Sequence, residues 1–432
     1  MSDDVLVVGS GLGGCLAAAT AAQKTPASRI RLLAPDEERF DYHSGLIDVL
    51  GYTPVNGADS ALSELPAPVD NPLAALTDLP DDHPYSLLGP EVVREALATF
   101  DRLCPAYRGN HTEKNALVMT PGGRPTPAAR YPASMAPGLL SRPEAALLVG
   151  FEQIPDFDSH LVADVLDSSL SYDVTSLPVE FPTQVTEYPA GPQLAAILDE
   201  NLPVDDTVGD SERKTSVREA LADLIRPELD LEPRVGLPAV LGRQAHDEIR
   251  RELRNTLSAR VFEIPVGPPS IPGRRLYSRL QASLSEAGVT VESECEITGF
   301  ETAAGRIECV QTEAGAYDAR EFVLATGDLE TGGLVADSAG VREPVFDCHV
   351  SHSTDSSEWV AREFLGDHPF ARFGVDVDES LRPLDSSGSV EYENLRAVGE
   401  LLGGPDYIAE QSGDGVAIAT GYAAGRRAGE RL

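Results

Sequence analysis

Three glycines near the start of the chain have the spacing of a nucleotide-binding turn. An apolar strand, Val5–Val8, runs into Gly9-x-Gly11-x-x-Gly14, and an alanine-rich helix follows. In this pattern the first glycine permits a tight turn, the second lets the backbone approach a pyrophosphate, and the third lets strand and helix pack closely. The helix N-terminus then directs N–H groups and the positive end of its dipole at the phosphate. The pattern therefore predicts a dinucleotide site.

The end of the second predicted strand departs from this pattern. Dinucleotide folds usually place an acidic residue there, where it binds the ribose hydroxyls. The strand Arg29–Ala34 is followed by Pro35 and then Asp36, which stands two positions late. We keep Asp36 as a candidate ligand of the cofactor, and the departure weakens the expectation of an ordinary adenosine contact.

Two later segments carry further nucleotide-facing residues. The apolar run 321–327 ends in Ala-Thr-Gly, and the strand 394–400 ends in a carboxylate before a glycine-rich helix start at 412–421. This succession, with a three-strand meander over 297–317, is similar to one large flavoprotein superfamily, in which such a carboxylate reaches sugar or ribityl hydroxyls. The resulting cofactor-binding candidates are Thr326, Gly327, Gly399, Glu400, Gly413, Asp414 and Gly415.

The order of the elements predicts an α/β fold. We expect a discontinuous Rossmann-like FAD/NAD(P)-binding domain formed by residues 1–58, 262–345 and 385–432. An inserted α+β cap domain, facing substrate or partner, would comprise residues 59–261 and 346–384. The first region contains the strands and helices of the nucleotide pattern, and the second is richer in proline and short apolar runs.

Composition limits the partners and the setting. The 432 residues carry 70 acidic and 34 basic side chains, a net charge of −36. The excess is spread along a chain of ordinary apolar content, which is typical of proteins that work in high salt, where screening removes the self-repulsion. Nucleic acid is an unfavourable partner for this charge.

The five cysteines show no paired spacing. This argues against a disulfide framework and against a Cys-x-x-Cys metal or iron–sulfur site, and it favours buried thiols in the cytoplasm. The residues His349 and His352 lack a third ligand at a usable spacing, so we expect no metal site. No apolar run approaches the roughly 20 residues that span a bilayer, so we expect no direct membrane span.

Five strings together resemble the B subunit of the anaerobic, quinone-linked glycerol-3-phosphate dehydrogenase of the haloarchaeal type. They are Tyr42–Asp48, Arg234–Gly242, Pro268–Gly273, Thr331–Val335 and Arg342–Pro344. The resemblance extends nearly end to end and is weakest over residues 53–230.

The resemblance implies a reaction and a set of partners. The reaction oxidises sn-glycerol 3-phosphate to dihydroxyacetone phosphate and passes electrons to a quinone. The partners are a larger flavoprotein, the A subunit, and an iron–sulfur protein, the C subunit, which attaches the complex to the inner face of the cell membrane. The resemblance implies FMN as the cofactor, whereas the Gly9–Gly14 fingerprint indicates FAD.

A flavin that oxidises an alcohol also needs a base for the hydroxyl proton and cations for a substrate phosphate. His43 is a candidate base, and Arg274 and Arg275 are candidate phosphate ligands, although a loop histidine and an exposed arginine pair are the plainer interpretations. Ser44 and Gly45 would lie near the flavin in the expected fold.

Two other functions remain open from the sequence. One is a self-sufficient flavin dehydrogenase or oxidase that acts on another small hydroxy or amino substrate. The other is an assembly subunit that keeps the fold and holds no flavin. A second GxGxxG turn for a nicotinamide cofactor is missing from the sequence, which disfavours reduction of pyridine nucleotides.

Overall fold

The computed structural model describes residues 2–25, 28–34, 38–53, 67–204, 215–230, 232–363 and 366–432. The strands over these residues are β1 (Asp3–Val8), β2 (Ile30–Ala34), β3 (Tyr107–Arg108), β4 (Ala116–Val118), β5 (Thr126–Ala128), β6 (Tyr131–Pro132), β7 (Ala146–Phe151), β8 (Val174–Val179), β9 (Pro203–Val204), β10 (Thr215–Ser216), β11 (Arg234–Pro238), β12 (Arg260–Ile264), β13 (Thr290–Ser293), β14 (Ile297–Ala303), β15 (Arg306–Thr312), β16 (Gly315–Leu324), β17 (Val335–Asp337), β18 (Gly340–Arg342), β19 (Val350–Ser351), β20 (Gly374–Val375) and β21 (Leu395–Ala397). The helices are α1 (Leu12–Lys24), α2 (Pro72–Ala75), α3 (Pro84–Leu88), α4 (Pro90–Leu103), α5 (Ser159–Asp167), α6 (Gly191–Glu200), α7 (Val217–Ile225), α8 (His246–Leu257), α9 (Ile271–Glu286), α10 (Tyr407–Glu410) and α11 (Gly413–Glu430).

The chain divides into two compact units. The first unit comprises Met1–Arg39, Ile47–Pro105 and Arg279–Leu432, and the second comprises Phe40–Leu46 and Ala106–Ser278. The first unit is therefore discontinuous, as the expected nucleotide-binding domain is.

The unit boundaries differ from the expected domain boundaries in four places, the first being residues 40–46, which the sequence predicts in the nucleotide-binding domain and which fall in the second unit. Residues 67–105 and 346–384 fall in the first unit, and residues 262–278 fall in the second. The amphipathic helix α4 buries Val93, Leu97 and Phe100, and it packs on α11 of the first unit. The division does not test the role expected for the inserted region, which stays a prediction.

The first unit is built on a parallel sheet. Its parallel strands lie in the order β13-β2-β1-β16-β21, and β14 and β15 extend β16 as an antiparallel meander. Residues Val5–Val8 of β1 are fully buried, which is typical of a parallel strand covered on both faces. The strand order reverses at β1, between β2 and β16, and ligands of doubly wound sheets bind at the carboxyl ends beside such a reversal.

Two helices of this unit approach each other closely through small residues. A Cβ atom on Gly421 of α11 would overlap the backbone of Gly13 in α1, and one on Gly425 would overlap that of Ala17. Helix α11 therefore lies along α1, so the start of α11 is held near the nucleotide turn.

The second unit, where the sequence predicts the α+β insert, is built on a parallel sheet of its own. Its main sheet has four strands in the order β12-β11-β7-β8, and all neighbouring pairs are parallel. Parallel neighbours require crossover connections, and α5 and α8 supply helices between successive strands. The core of this unit includes Leu148, Leu194, Leu237, Ile249 and Phe262.

Candidate functional site

The glycine turn after β1 has the geometry that the spacing predicts. Gly9 has φ +107°, and a Cβ there would overlap the carbonyl oxygen of Ala325. A Cβ on Gly14 would overlap the carbonyl oxygen of Gly9, whereas one on Gly11 would meet nothing within 4 Å. Gly9 and Gly14 thus allow close packing of the backbone, and Gly11 leaves open space in front of α1.

The start of α1 suits an anion. Gly11 precedes the helix and has no side chain to cap it, and the first turn, Leu12–Cys15, contains no acidic residue. Helix N-termini with such exposed N–H groups bind phosphates. Cys15 in this turn is inert, because burial raises the pKa of its thiol to about 12 and its Sγ donates to the carbonyl oxygen of Ser10.

The carboxyl ends of three parallel strands lie side by side at this turn. The backbone N–H of Ala325 donates to Val8, and that of Val398 donates to Leu324. These bonds align the segments that follow β1, β16 and β21. The structure thus brings together the predicted residues of those segments: Gly9, Gly11, Gly14, Thr326, Gly327, Gly399 and Glu400.

Asp414, in the first turn of α11, forms an acidic pair with Asp48, which lies outside that helix. The backbone N–H of Asp414 donates to Asp48 Oδ1 at 3.0 Å, and the N–H of Asp48 donates back to Asp414 Oδ2 at 3.4 Å. The Glu400 carboxylate lies against Gly413, where a Cβ would overlap it. Burial, followed by the neighbouring charges of Asp414 and Glu400, raises the pKa of Asp48 well above its usual value.

Sequence reasoning missed Asp48 as a site residue. It ends the string Tyr42–Asp48 that carried the family resemblance, and that position was the only signal that could have singled it out.

A buried hydrogen-bonded group supports the same turn, and it was also missed. His83 Nε2 lies 3.2 Å from Glu410 Oε2, which also accepts from Ser412 Oγ at 3.0 Å. The backbone N–H of Tyr85 donates to His83 Nδ1, so that nitrogen is unprotonated and Nε2 carries the proton. The Tyr85 hydroxyl donates to the carbonyl oxygen of Val49 at 2.7 Å. These contacts connect segment 48–52 to the start of α11.

The acid expected after the second strand cannot be placed. Strand β2 ends at Ala34, and Asp36 lies outside the described residues. Its contact with a cofactor stays a prediction.

Five candidate residues lie in the second unit, namely His43, Ser44, Gly45, Arg274 and Arg275. The first three form a tight loop, in which His43 Nδ1 accepts from the Gly45 N–H and Ser44 Oγ accepts from the Leu46 N–H. A Cβ on Gly45 would press on the ring of Pro272. The loop hydrogen bond occupies the His43 nitrogen that a base would use in this tautomer.

The two arginines are engaged by carboxylates. Arg274 makes a bidentate pair with Asp41, with distances of 2.5 and 2.6 Å. Arg275 binds Glu263, which is fully buried, and also donates to the carbonyl oxygen of Gly242. Although burial opposes it, the Arg275 guanidinium lowers the pKa of Glu263 to about 2. Both guanidinium charges are therefore matched within the protein, which favours structural roles.

The two histidines weighed for a metal have other contacts. His352 Nε2 accepts from the Val341 N–H and Nδ1 lies 2.8 Å from the carbonyl oxygen of Val350, and the His349 N–H donates to Glu391. Within the described part of the chain, no group of three or more His, Cys, Asp or Glu side chains could hold a metal ion. Over the same residues, no helix has the length and apolar character needed to cross a bilayer.

Comparison with known families defines the class. Residues 4–416 match the FAD binding domain family, and the chain belongs to that family. A flavin fits the observed turn, because the space in front of Gly11 and the uncapped start of α1 suit its phosphate group.

Relatives over the full length identify the particular family. The chain is 42% identical to the B subunit of a probable anaerobic glycerol-3-phosphate dehydrogenase from Halobacterium salinarum, over 100% of this chain and 99% of that protein. It is 27% identical to the corresponding B subunit from Vibrio cholerae, over 98% and 95% of the two chains. The chain belongs to the family of anaerobic glycerol-3-phosphate dehydrogenase B subunits. Among solved structures, 3-ketosteroid delta1-dehydrogenase from Sterolibacterium denitrificans has 12% identity and a TM-score of 0.41, with both chains fully covered.

Proposed function

We propose that this chain is the flavoprotein B subunit of an anaerobic glycerol-3-phosphate dehydrogenase. It would take part in oxidising sn-glycerol 3-phosphate to dihydroxyacetone phosphate, with electrons passed to a quinone. The observation that carries the proposal is the 42% identity over the full chain to a relative of that name. The nucleotide turn of the first unit supports a redox role, because it retains the open cradle at Gly11.

The flavin would be held by the segments that meet at the carboxyl edge of the first sheet. The α1 N-terminus and Gly11 would bind a phosphate, and Glu400 would accept hydrogen bonds from sugar or ribityl hydroxyls. The bound flavin supplies the acceptor for a hydride or electron pair. The Gly9–Gly14 turn favours FAD, since its role in such folds is to accommodate a pyrophosphate. The resemblance to the family favours FMN, and identification of the released cofactor distinguishes the two.

The partners follow from the family. The relatives are named as one subunit of a dehydrogenase, so we propose a complex with a larger flavoprotein and with an iron–sulfur protein that attaches it to the cytoplasmic face of the membrane. The pairing of Arg274 with Asp41 and of Arg275 with Glu263 favours electron relay over direct binding of the substrate phosphate.

The test is identification of the cofactor in the isolated chain. We would purify the chain in high salt, record its visible spectrum, and identify the released compound by chromatography and mass. Released FAD or FMN supports the redox role, and a folded, colourless chain contradicts it. Turnover of glycerol 3-phosphate with a soluble dye by the chain alone would contradict the relay role.

A further inference from the structure

The first turn of α11 is capped by a distant residue. Ser412 precedes the helix, yet its Oγ donates to Glu410 and does not cap α11. Asp48, which is 366 positions away, accepts the Asp414 N–H and donates its own N–H to Asp414 in return. A cap removes one of the unpaired N–H groups of a helix start, and its carboxylate interacts favourably with the helix dipole.

Three carboxyl groups meet at this turn. Asp48, Asp414 and Glu400 lie together and are each half-buried, and the partial loss of water around Asp48 strengthens the repulsion between them. Like charges in such a cluster oppose the ionisation of Asp48, so its protonated form is favoured. Among the residues that the structure describes, other titratable groups near this turn include Tyr85, Tyr407, Glu410 and His83, the last two bonded to each other, with Asp328 acting on Tyr407.

The second turn of α11, directly after the capped one, lies beside the first turn of α1. A Cβ on Gly13, in the first turn of α1, would come within 3.3 Å of the Ala417 carbonyl oxygen in α11 and within 3.3 Å of a Val398 methyl. A charge that appears on the α11 cap therefore acts close to the segment that faces the cofactor.

We propose that Asp48 is a positioning residue of the flavin site, which caps α11 and carries the proton that makes flavin reduction depend on pH. The proposal rests on the proposed flavin function. Ionised Asp48 adds negative charge near the site. Because reduction adds electrons to the flavin, that charge lowers the reduction potential, and a protonated Asp48 does not.

The test compares Asp48→Asn with wild type and with Asp406→Asn as a matched control. Asparagine keeps an acceptor for the Asp414 N–H and removes the proton equilibrium. Asp406 caps α10 by accepting the Ala409 N–H at 2.9 Å, so Asp406→Asn is the same substitution at another helix cap of this unit.

The first measurement is thermal unfolding as a function of pH at constant high salt. A raised folded-state pKa gives stabilisation that is present below the unfolded value of about 4 and is lost as pH rises through the folded value. We expect the wild-type Tm to fall relative to that of Asp48→Asn as pH rises from about 4. The same divergence in Asp406→Asn would assign the effect to the loss of any capping carboxylate and overturn the particular role of Asp48.

The second measurement is the midpoint potential of the bound flavin over the same pH range. We expect wild type and Asp48→Asn to coincide at low pH. At high pH, wild type should show the lower potential, with severalfold less reduced flavin at a fixed applied potential. If Asp48 were only a structural cap, Asp48→Asn would change how tightly the flavin is retained, and the two midpoint potentials would not diverge with pH.

The outcomes separate the two proposals. Unfolding profiles of wild type and Asp48→Asn that stay parallel overturn the proton-carrying cap. Diverging unfolding profiles with superimposed potentials overturn its influence on the flavin. Diverging profiles in a chain that holds no flavin support the proton-carrying cap and count against the flavin function.

Discussion

At the scale of single residues, the three glycines of the nucleotide turn differ in the space around them. A Cβ on Gly9 or Gly14 would overlap backbone atoms, whereas a Cβ on Gly11 would point into open space. The first two glycines therefore serve the fold, and we propose that Gly11 serves a ligand. This distinction separates variants that unfold the protein from variants that only lose the cofactor.

Substitution of Gly11 by alanine should release the flavin and leave the fold intact. The added Cβ meets no protein atom within 4 Å, so we expect a Tm within about 2 °C of wild type. The same methyl occupies the approach of a phosphate, and we expect at least about tenfold weaker retention, equivalent to about 1.4 kcal/mol. Flavin content after dialysis and Tm measure the two effects.

The matched control for that variant is Gly122→Ala. Gly122 also has open space around its Cβ position, and it belongs to the second unit, away from the nucleotide turn in sequence. It should change neither flavin content nor Tm. Equal flavin retention by Gly11→Ala and Gly122→Ala would contradict the proposed cradle.

The adjacent arginines should differ in their contribution to stability. Arg275→Met leaves Glu263 as a fully buried unpaired carboxylate, and breaking such a pair lowers the free energy of unfolding by about 3–5 kcal/mol. Arg274→Met leaves Asp41, whose side chain keeps 18% exposure and can be hydrated, so we expect about 1 kcal/mol. Urea unfolding at constant salt measures both.

The Arg275 pair also predicts a dependence on pH. The folded-state pKa of Glu263, about 2, lies below its unfolded value of about 4.3, so its stabilisation is present above that value and is lost as pH falls towards 2. Wild type should lose its stability advantage over Arg275→Met across this window. If Arg274→Met and Arg275→Met were equally stable at neutral pH, the special contribution of the buried Arg275–Glu263 pair to stability would be refuted.

At the scale of elements, the contact between α1 and α11 brings a late segment of the chain to the first nucleotide turn. The contact depends on small residues, because Gly421 and Gly425 lie directly on the backbone of α1. The parallel order β13-β2-β1-β16-β21 then aligns the carboxyl ends that the ligand would face.

Substitution of Gly421 by alanine should destabilise the first unit. The added methyl overlaps the backbone of Gly13 and forces the helices apart, at a cost of about 1–3 kcal/mol, in spite of the better helix propensity of alanine. Gly429→Ala in the same helix is the control, since its Cβ would come no closer than 3.1 Å to another atom, the Lys24 Cβ, whereas that of Gly421→Ala would overlap the Gly13 carbonyl oxygen. A Gly421→Ala variant as stable as Gly429→Ala in urea would show that the helices can separate without loss.

At the scale of the whole molecule, charge sets the conditions in which the protein is stable. A net charge of −36 over 432 residues produces self-repulsion, which dissolved salt screens. Ion pairs such as Arg31 with Asp3 and Arg218 with Glu248 match opposite charges one for one, so they leave this excess unchanged.

Salt should therefore stabilise the folded chain strongly. We expect Tm to rise by at least about 10 °C between about 0.1 M and about 2 M KCl, because the Debye length falls from about 10 Å to below about 3 Å. Thermal unfolding in KCl measures the effect. Sucrose, which is excluded from the surface without screening charge, is the control. An equal rise in sucrose would assign the effect to solvent exclusion.

The sequence alone determined the class of fold and most of the nucleotide turn. Glycine spacing, apolar strands and the order of strand and helix are local properties, so Gly9–Gly14, the meander of β14, β15 and β16 and the start of α11 could be predicted from neighbouring residues. Asp36 lies outside the described residues, and the roles expected for His43, Ser44 and Gly45 stay predictions.

Only the tertiary structure decided which charged groups meet. Asp48 and Asp414 are 366 positions apart, and His83 and Glu410 are 327 apart, so no local pattern connects them. The same holds for Arg275, which looked available for a substrate phosphate until folding placed it against buried Glu263. Periodicity and steric demands act between neighbours in sequence, whereas hydrogen bonds and ion pairs act between neighbours in space, and packing alone establishes those.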